Sequence, residues 1–350
     1  MKKHLSLLAL LIVITFSNSS LVSAEIAWKL QNPLPQGDRL DGVWGSSGSD
    51  VFAVGDNGAI VHYDGSSWSS MVSGTSNHLE SVWGSSGDDV FAVGGGGVIL
   101  HYDGDSWSTM NSGFSYWFNG VWGSSENDVF AVGLGGAISH YNGVSWSSMT
   151  SGVTETLHSV WGSSWNDVFA VGEDGAVVHY DGSSWCSMTS GVSNFLNAVW
   201  GGSWNDVFAV GDDGVILHYD GTSWSAMTNE NTDRLHGVWG GSGNDVFAAG
   251  GGYVSLIPVT QTRSTILHYD GGSWSTMTSG ASDRLFGVWG ALGNDVFAVG
   301  DDGAILQYYE CWMYVEPGGD CGNIDPLYCY STIEDAILDA GEECRIKVGA

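Results

Sequence analysis

The chain has 350 residues and a formal net charge of −30, with 9 Lys and Arg against 39 Asp and Glu. A surface this acidic repels phosphate backbones, which excludes nucleic acid as a partner. The 53 Gly and 18 Trp, with only 14% charged residues, exclude a disordered chain, because the aromatic side chains supply ample surface to bury. Beyond the amino-terminal segment, no stretch is long and apolar enough to predict a membrane span.

Residues 1–24 have the pattern of a secretory signal peptide. Two lysines precede an apolar run from Leu5 to Phe16, which is too short to cross a bilayer as a helix. Small residues at 22–24 offer a cleavage site, so we expect the mature chain to begin at Glu25. The sequence therefore predicts an exported protein that is secreted, periplasmic or displayed at the cell surface.

A repeat dominates the sequence from residue 26 onward. Val-Trp-Gly occurs seven times, with five spacings of 39 residues and one of 50. Seven copies with four short strands each predict an all-β fold, a seven-bladed β-propeller over residues 25–310. The seven tryptophans are Trp44, Trp83, Trp122, Trp161, Trp200, Trp239 and Trp289.

One copy illustrates the predicted blade. Asp64-Gly65 fits a tight hairpin, since Gly tolerates positive φ. The long spacing places 11 extra residues in the sixth copy, around Gly251 to Ser264. The four predicted strands of the first copy are Leu40–Trp44, Val51–Val54, Ala59–Tyr63 and Trp68–Val72.

The seventh copy has no fourth strand of its own, and the amino terminus supplies a matching one. The interval from Trp28 to Trp44 is almost the same as the interval from Trp68 to Trp83. We therefore expect the amino-terminal strand to complete blade 7. Closure of the ring in this way would remove the exposed edges of an open array.

The repeat L-x-G-V-W-G…D-V-F-A-V-G…H-Y-D-G-x-S-W resembles the propeller repeats of the photosystem assembly-factor type and the wider bacterial neuraminidase (BNR) repeat group. The resemblance covers residues 26 to about 310. It implies a propeller of a style that serves both binding proteins and hydrolases. The stretch from Asp64 to Trp68 differs from the S-x-D-x-G-x-T-W box of that group, because Gly follows Asp directly and the spacing is one residue shorter.

The tail, residues 311–350, carries a second resemblance. Tyr314 to Gly319, Cys329 to Ile333 and Ile346 to Val348 look like the opening segment of pectin-lyase-like right-handed β-helices. This resemblance implies a truncated second domain, and any polysaccharide-lyase activity would need coils that this chain lacks. Residues 333–340 are expected to form a short helix with one apolar face.

Export permits disulfides, and four of the five cysteines lie in the tail. They allow three pairings, of which we favour Cys321 with Cys329 because they are close in sequence. Cys186 replaces a repeated Ser on blade 4 and is expected to be unpaired. The tail cysteines are Cys311, Cys321, Cys329 and Cys344.

Two polar residues recur in nearly every copy, and we interpret both as structural. Equivalent positions on neighbouring blades are about 10 Å or more apart. Metal–nitrogen bonds measure about 2.0–2.1 Å, so a shared metal ion is not predicted, and neither is a cofactor. The Asp before each second strand (Asp50 in the first copy) is expected to cap a turn. The recurrent histidines are His62, His101, His140, His179, His218 and His268.

Residues that break the symmetry are the candidates for function. Arg39, Arg234 and Arg284 precede the first strands of blades 1, 6 and 7, which become neighbours in a closed ring, and the insertion adds Arg263. Guanidinium groups suit carboxylate or sulfate ligands. The alternative is that each Arg pairs with its preceding Asp or a nearby acidic turn.

Aromatic residues occupy other positions of the same rim. Tyr116, Trp117 and Phe195 suit sugar stacking or a protein hot spot, and ordinary loop packing is the alternative. Trp165 and Trp204, in turns on the opposite face, form a rival docking patch. The second residue after each of these rim positions, such as Asp41 after Arg39, belongs to a second variable ring. From this ring we select Glu80, His158 and His236 as binding candidates. This ring reads Asp41, Glu80, Asn119, His158, Asn197, His236 and Phe286.

The pattern favours an exported, non-catalytic propeller that binds a glycan or a protein. One alternative is a glycoside hydrolase of sialidase type or a polysaccharide lyase, and another is a structural surface or adhesin module. A sialidase would need a Tyr nucleophile with a Glu partner. Glu80, Glu155 and Glu230 are the non-repeated glutamates, and no spacing selects one of them, so no catalytic residue is assigned.

Overall fold

The computed structural model describes the backbone of residues 28–31, 36–256, 259–292 and 295–309, and of short strands at 21–22, 311–315, 329–330 and 344–348. These residues fall into two units, 28–308 and 1–27 together with 309–350. None of the described helices is long and apolar enough to cross a membrane.

Residues 28–308 form seven four-stranded antiparallel sheets, one for each predicted blade. In blades 1 to 6 the four strands are consecutive in sequence and pair in that order. The fold is therefore the predicted seven-bladed β-propeller. The strands of blades 1 to 3 are Leu40–Ser47, Asp50–Gly55, Ile60–Tyr63 and Trp68–Ser70; Leu79–Ser86, Asp89–Gly94, Ile99–Tyr102 and Trp107–Thr109; and Phe118–Ser125, Asp128–Gly133, Ala137–Tyr141 and Trp146–Met149.

Blades 4 to 7 repeat this arrangement, with the amino-terminal strand as the fourth strand of blade 7. Their strands are Leu157–Ser164, Asp167–Gly172, Val177–Tyr180 and Trp185–Met188; Leu196–Ser203, Asp206–Gly211, Ile216–Tyr219 and Trp224–Ala226; Arg234–Ser242, Asp245–Leu256, Val259–Tyr269 and Trp274–Met277; and Leu285–Leu292, Asp295–Gly300, Ile305–Tyr309 and Trp28–Leu30. Short 3-10 turns join second to third strands at Asp56–Gly58, Gly95–Gly97, Leu134–Gly136, Glu173–Gly175, Asp212–Gly214 and Asp301–Gly303.

The first strands are longer than predicted. Pairing continues through a register shift after Gly45 to the pair Ser47 and Asp50, which leaves only a tight turn between them. The Asp that was expected to precede the second strand is its first residue. In blade 6 the insertion lengthens the second and third strands into one hairpin, in which Gly252 lies opposite Arg263.

The amino-terminal strand closes the ring as predicted. Trp28 is paired with Tyr308 of the third strand of blade 7, and Leu30 with Leu306. The Trp28 side chain is 3% exposed. Its ring centroid lies 5.5 Å from that of Tyr308 and 6.1 Å from that of Phe247 on blade 6.

A tryptophan–glycine contact joins each blade to the next. A Cβ atom added to Gly45 would lie 2.7 Å from the indole of Trp289 on blade 7. The other six Val-Trp-Gly glycines would meet the preceding tryptophan at 2.6–2.7 Å. Glycine is therefore required where the neighbouring indole approaches the backbone so closely.

The hydrophobic core lies between the blades, as the junction of blades 1 and 2 illustrates. Phe52 and Ile60 of blade 1 pack against Leu79 and Trp107 of blade 2, and all four are buried. Trp107 meets Phe52 edge to face, with ring centroids 6.1 Å apart. Each such ring pair contributes about 0.5–1.5 kcal/mol beyond the area that it buries.

The repeated His and Asp residues contact each other within a blade. His62 Nε2 lies 2.6 Å from Asp50 Oδ1, and the other five histidines make the same contact at 2.6–2.7 Å. In blade 7, Gln307 Nε2 donates to Asp295 at 3.0 Å. The contacts of this Asp are therefore with side chains and not the expected backbone cap: besides the histidine, Asp89 Oδ2 accepts from Ser85 Oγ across the turn at 2.7 Å.

The backbone-capping carboxylate belongs to the following hairpin instead. Asp64 Oδ1 accepts from the backbone N–H groups of Ser66 and Ser67 at 2.9 Å. This hydrogen bonding lowers the pKa of Asp64. Gly65 has a φ of +87°, as a tight hairpin requires.

The described strands of the second unit form a small sheet. Cys311–Val315 lies parallel to both Cys329–Tyr330 and Cys344–Val348, and the last of these also pairs with Leu21–Val22. The register places Cys311 opposite Cys344. Cys321 and the expected helix at 333–340 lie outside the described residues, so the Cys321–Cys329 pairing and the β-helix resemblance stay predictions. On blade 4, Cys186 is an exposed free thiol.

Closure of the ring can be tested by truncating Trp28. Trp28→Ala should lower the free energy of unfolding by about 3–5 kcal/mol, because it removes a buried indole from a junction of two blades. Leu30→Ala, in the same strand at a side chain that is 43% exposed, should cost under about 1 kcal/mol. Urea denaturation measures both. Equal losses in the two variants would contradict the role of Trp28.

The His–Asp contact can be tested with the substitution that the ring already carries. His140→Gln should stay within about 1 kcal/mol of wild type, because Gln307 makes the same contact in blade 7. His140→Leu removes this hydrogen-bonding partner of the half-buried Asp128 and should cost about 1–3 kcal/mol. If denaturation gives both variants the same stability, the hydrogen bond has no structural value.

Candidate ligand-binding site

The central channel opens on the loop face as a cavity of about 560 Å³. The first strand of each blade is innermost, and the residue after its buried Leu or Phe contributes to the cavity wall. Five residue types occupy these seven positions, so a symmetric scaffold carries an asymmetric lining. The lining includes the whole second variable ring, Asp41, Glu80, Asn119, His158, Asn197, His236 and Phe286.

Two ion-paired arginines, Arg39 and Arg284, lie against Phe286, which lines the channel mouth, and we call this pair the cationic wall. The guanidinium carbon of Arg39 lies 4.7 Å from the ring centroid of Phe286, and that of Arg284 lies 5.3 Å from the same ring. Asp41 holds Arg39 at two nitrogens, at 2.7 and 3.1 Å, and Asp301 accepts from Arg284 Nε at 2.9 Å. The guanidinium groups are therefore oriented before any ligand arrives.

The other two arginines lie farther out and are also ion-paired. Arg234 Nη2 lies 2.6 Å from Asp212 Oδ2, and Arg263 Nη2 lies 2.5 Å from Asp233 Oδ1. Each is about half exposed. Arg234 and Arg284 thus pair with acidic turns, as the alternative predicted, whereas Arg39 pairs with Asp41 of its own first strand and Arg263 with Asp233.

His236 lies behind the cationic wall. Its ring is 4.9 Å from that of Phe286. Burial lowers the pKa of His236 to about 4, and the charges of Arg234 and Arg284 add to the effect. The charges of Arg39, Arg234 and Arg284 all lower the pKa of this imidazole. The structure therefore brings three of the four predicted arginines into one sector.

A network centred on His78 links the cationic and aromatic sectors. His78 Nδ1 is hydrogen-bonded to Asp56, and its Nε2 lies 3.2 Å from Glu80 and 3.3 Å from Asp41. Burial alone would lower the pKa of His78, but Glu80, Asp41 and Asp56 raise it to about 9. Trp117 Nε1 donates to Glu80 at 3.0 Å, which ties the aromatic rim to the network.

Asp41, Asp56 and His78 could each offer one ligand atom to a metal ion, since these atoms lie within 4.8 Å of one another. Arg39 already binds Asp41 at two nitrogens and lies 3.3 Å from His78 Nε2. A divalent cation would have to displace this guanidinium or tolerate its charge. The cluster therefore fits a charge network better than a metal site.

The remaining residues of the second variable ring have two kinds of contact. Asn119 and Asn197 each donate to a backbone carbonyl of the next blade at 2.9 Å, so they hold the wall together. His158 packs edge to face with Phe195, at 6.0 Å between ring centroids. Phe195 is 37% exposed.

Tyr116 does not line the channel. It stacks on Phe114 and lines a second cavity of about 420 Å³ on blade 3. Leu134 lines both cavities. Phe114, Leu134 and Ser139 also line this cavity and were not predicted from the sequence, although they distinguish blade 3 from the other copies.

The rival patch lies on turns of the opposite face. Trp165 and Trp204 are 59% and 57% exposed. A Cβ atom on Gly182 or Gly221, in the third-to-fourth-strand hairpins, would lie 3.4 or 3.1 Å from these indoles. Each indole thus rests on a glycine of its own blade.

Solved structures of other proteins have the same architecture. YCF48 bound to D1 peptide superposes with a TM-score of 0.64 at 17% identity, over 82% of this chain and 97% of that chain. The fold is that of a β-propeller. YCF48 from Cyanidioschyzon merolae gives 0.61 at 18% identity, over 81% of this chain and 99% of that one. The WD40 β-propeller domain of Doa1 gives 0.64 at 13% identity, over 84% and 97%.

No protein-family model matches the chain, and no curated protein sequence matches it. The structural likeness to YCF48 agrees, at the level of the fold, with the predicted resemblance to photosystem assembly-factor repeats. The BNR resemblance stays a prediction.

The neutral state of His236 predicts an acid-dependent loss of stability. The pKa of His236 is depressed from 6.5 to about 4, so its contribution is complete above pH 6.5 and is lost as the pH falls towards 4. The free energy of unfolding should fall by up to about 1.4 kcal/mol per pH unit in this window. His236→Asn, which copies the Asn of blades 3 and 5, should lack this component. Parallel curves for both proteins between pH 7 and 5 would contradict the assignment.

Proposed function

We propose that this protein is an exported, non-catalytic binding module whose loop face holds a segment of a protein partner at the channel mouth. The observation that carries the proposal is the placement of both Arg39 and Arg284 against the ring of Phe286, which lines a cavity of about 560 Å³. A cavity of this size lies within the range of ligand sites.

The cationic wall suits a carboxylate on the partner. Guanidinium groups bind carboxylates through paired N–H donors, and such charge-assisted bonds are roughly twice as strong as neutral ones. Arg39 and Arg284 are only 33% and 25% exposed in their side chains, so water screens them less than it would a surface arginine.

The adjoining wall, on blade 2, suits donors and apolar groups. Glu80 lines it as an acceptor beside Trp117, which is 38% exposed. A peptide presents N–H donors, carbonyls, carboxylates and apolar side chains within a few residues, so it can satisfy both walls. We favour a peptide over a glycan because Trp117 and Phe195 pack against His78 and His158 and offer only part of their ring faces.

The likeness to known structures supports this class of partner. YCF48, which shares the propeller architecture, has a solved structure with a D1 peptide. Export rests on the segment 1–24, whose pattern fits a signal peptide. Amino-terminal sequencing of the protein recovered outside the cytoplasm should give Glu25 as the first residue, and an intact Met1 there would contradict the cleavage.

The role of the cationic wall can be tested with a library of short synthetic peptides that contain either Asp and Glu or Asn and Gln at matched positions. Wild type should bind the carboxylate-containing peptides more tightly than the matched amide-containing peptides. The double variant Arg39→Ala/Arg284→Ala should bind them at least tenfold more weakly, which corresponds to about 1.4 kcal/mol or more. Fluorescence anisotropy measures the affinities.

Arg263→Ala is the matched control, because it removes an ion-paired arginine of the same face that lies farther from the channel mouth. It should bind like wild type. Equal affinities for the double variant and wild type would refute the carboxylate site, and turnover of a fluorogenic sialoside would refute the non-catalytic assignment.

A further inference from the structure

We infer that the second cavity, the groove on blade 3, is a pocket for a large apolar side chain of the same peptide partner. This inference rests on the proposed function and adds a specificity pocket to it. The groove lies beside the channel mouth on the loop face. Its walls come from the connection into blade 3, the turn Leu134–Gly136 and parts of the third and fourth strands, with the lining side chains Phe114, Tyr116, Phe118, Leu134, Ser139 and Met149.

The repeat supplies an internal reference for this groove, because six other copies show what the scaffold alone requires. Leu134 begins the turn between the second and third strands, where the other copies have an acidic residue or glycine: Asp56, Gly95, Glu173, Asp212, Gly251 and Asp301. Blade 3 thus has a leucine, 48% exposed, at a position that is acidic or glycine in the other copies.

Tyr116 makes the same kind of departure on the facing wall. The equivalent residues of the other copies are Asp38, Asn77, Glu155, Asn194, Asp233 and Asp283. Tyr116 is 52% exposed and stacks on Phe114, at 5.9 Å between ring centroids. No other copy has an aromatic residue at the position of Phe114.

Two further departures lie beneath these walls. Phe118 occupies a position that is leucine in the other six copies, and Ser139 occupies one that is valine or leucine. Both are buried, at 0% and 1% exposure. A larger residue at one position and a smaller one at the other change the shape of the groove while the core stays closed.

Stability of the propeller does not explain these departures. Blades 1, 2, 4, 5 and 7 form the same turn without an apolar side chain there, and exposing Leu134 and Tyr116 to water gains no burial. Contiguous exposed apolar side chains on a soluble protein mark binding surfaces. Five departures that meet around one groove therefore indicate a ligand.

The groove and the channel belong to one surface, because Leu134 lines both cavities. A peptide that places a carboxylate against Arg39 and Arg284 can cross the channel mouth and insert an apolar side chain beside Leu134. Ser139 and Ser148 are the aliphatic hydroxyl groups of the lining. A sugar would leave most of its hydroxyl groups unpaired there, which is costly, whereas an apolar side chain would not.

The test uses the peptide library already described, extended so that each carboxylate-containing peptide carries either Leu, Phe or Trp, or Ser in their place. The variant Tyr116→Asn/Leu134→Gly copies blade 2, which has Asn77 and Gly95 at these positions, and adds no charge. Because blade 2 folds with these residues, the variant should keep the thermal stability of wild type.

Wild type should prefer the peptides with Leu, Phe or Trp over the Ser peptides by at least tenfold, and the Tyr116→Asn/Leu134→Gly variant should lose this preference. The variant should still prefer carboxylate-containing peptides over amide-containing ones. Trp165→Gly, which copies blades 1 and 2 on the opposite face, is the control and should bind like wild type.

The outcomes separate the two proposals. The groove proposal fails, and the proposed function stands, if wild type binds carboxylate-containing peptides without preferring apolar residues. The same holds if the Tyr116→Asn/Leu134→Gly variant keeps the preference for apolar residues. If wild type retains no peptide, both fail. If wild type instead binds hexasaccharides of β-1,4-linked glucose or N-acetylglucosamine on this face, a glycan replaces the peptide as occupant and both proposals are overturned.

Discussion

The contact of each inner tryptophan with the glycine of the next blade is the constraint on which the rest of the propeller depends. Trp289 of the last blade packs on Gly45 of the first, so the contacts form an unbroken ring. A side chain on any of these glycines would collide with an indole, because its Cβ would lie 2.6–2.7 Å away. The spacing between blades is thereby fixed, and with it the position of every first strand around the axis.

The ring leaves one position per blade free to vary. The residue after the buried Leu or Phe of each first strand lines the channel, and five residue types occupy the seven positions. Ring closure brings blades 1, 6 and 7 side by side, which collects Arg39 and Arg284 around Phe286 and places Arg234 near His236. An acidic protein thus gathers two arginines, each paired with an aspartate, beside the channel mouth.

The same scaffold accounts for the groove on blade 3. Its turns and connections hold their shape through backbone hydrogen bonds and glycines that recur around the ring, so side chains at the rim can change without loss of the fold. Leu134 and Tyr116 use this freedom to form an apolar surface next to the charged one. A charged site fixes the orientation of a ligand, and an apolar pocket beside it adds specificity.

The sequence was sufficient to predict the number of blades, their four strands and the closure by Trp28, because each follows from spacing along the chain. It also identified the ring of residues that lines the channel, since equal spacing implies equivalent positions. Strand ends were predicted less accurately, because the pairing of Ser47 with Asp50 depends on a register shift that no residue pattern indicates.

Only the tertiary structure decided which side chains contact each other. The repeated Asp contacts a histidine instead of capping the backbone of a turn, because Asp50 begins the second strand and its carboxylate reaches His62 on the third. Arg234 pairs with Asp212 of the preceding blade, and Leu134 lines the same cavity as Tyr116, although the two members of each pair are well separated in sequence. A repeat fixes where each blade lies, but the partners of a side chain at the rim depend on the distances between neighbouring blades, which arise only when the ring closes.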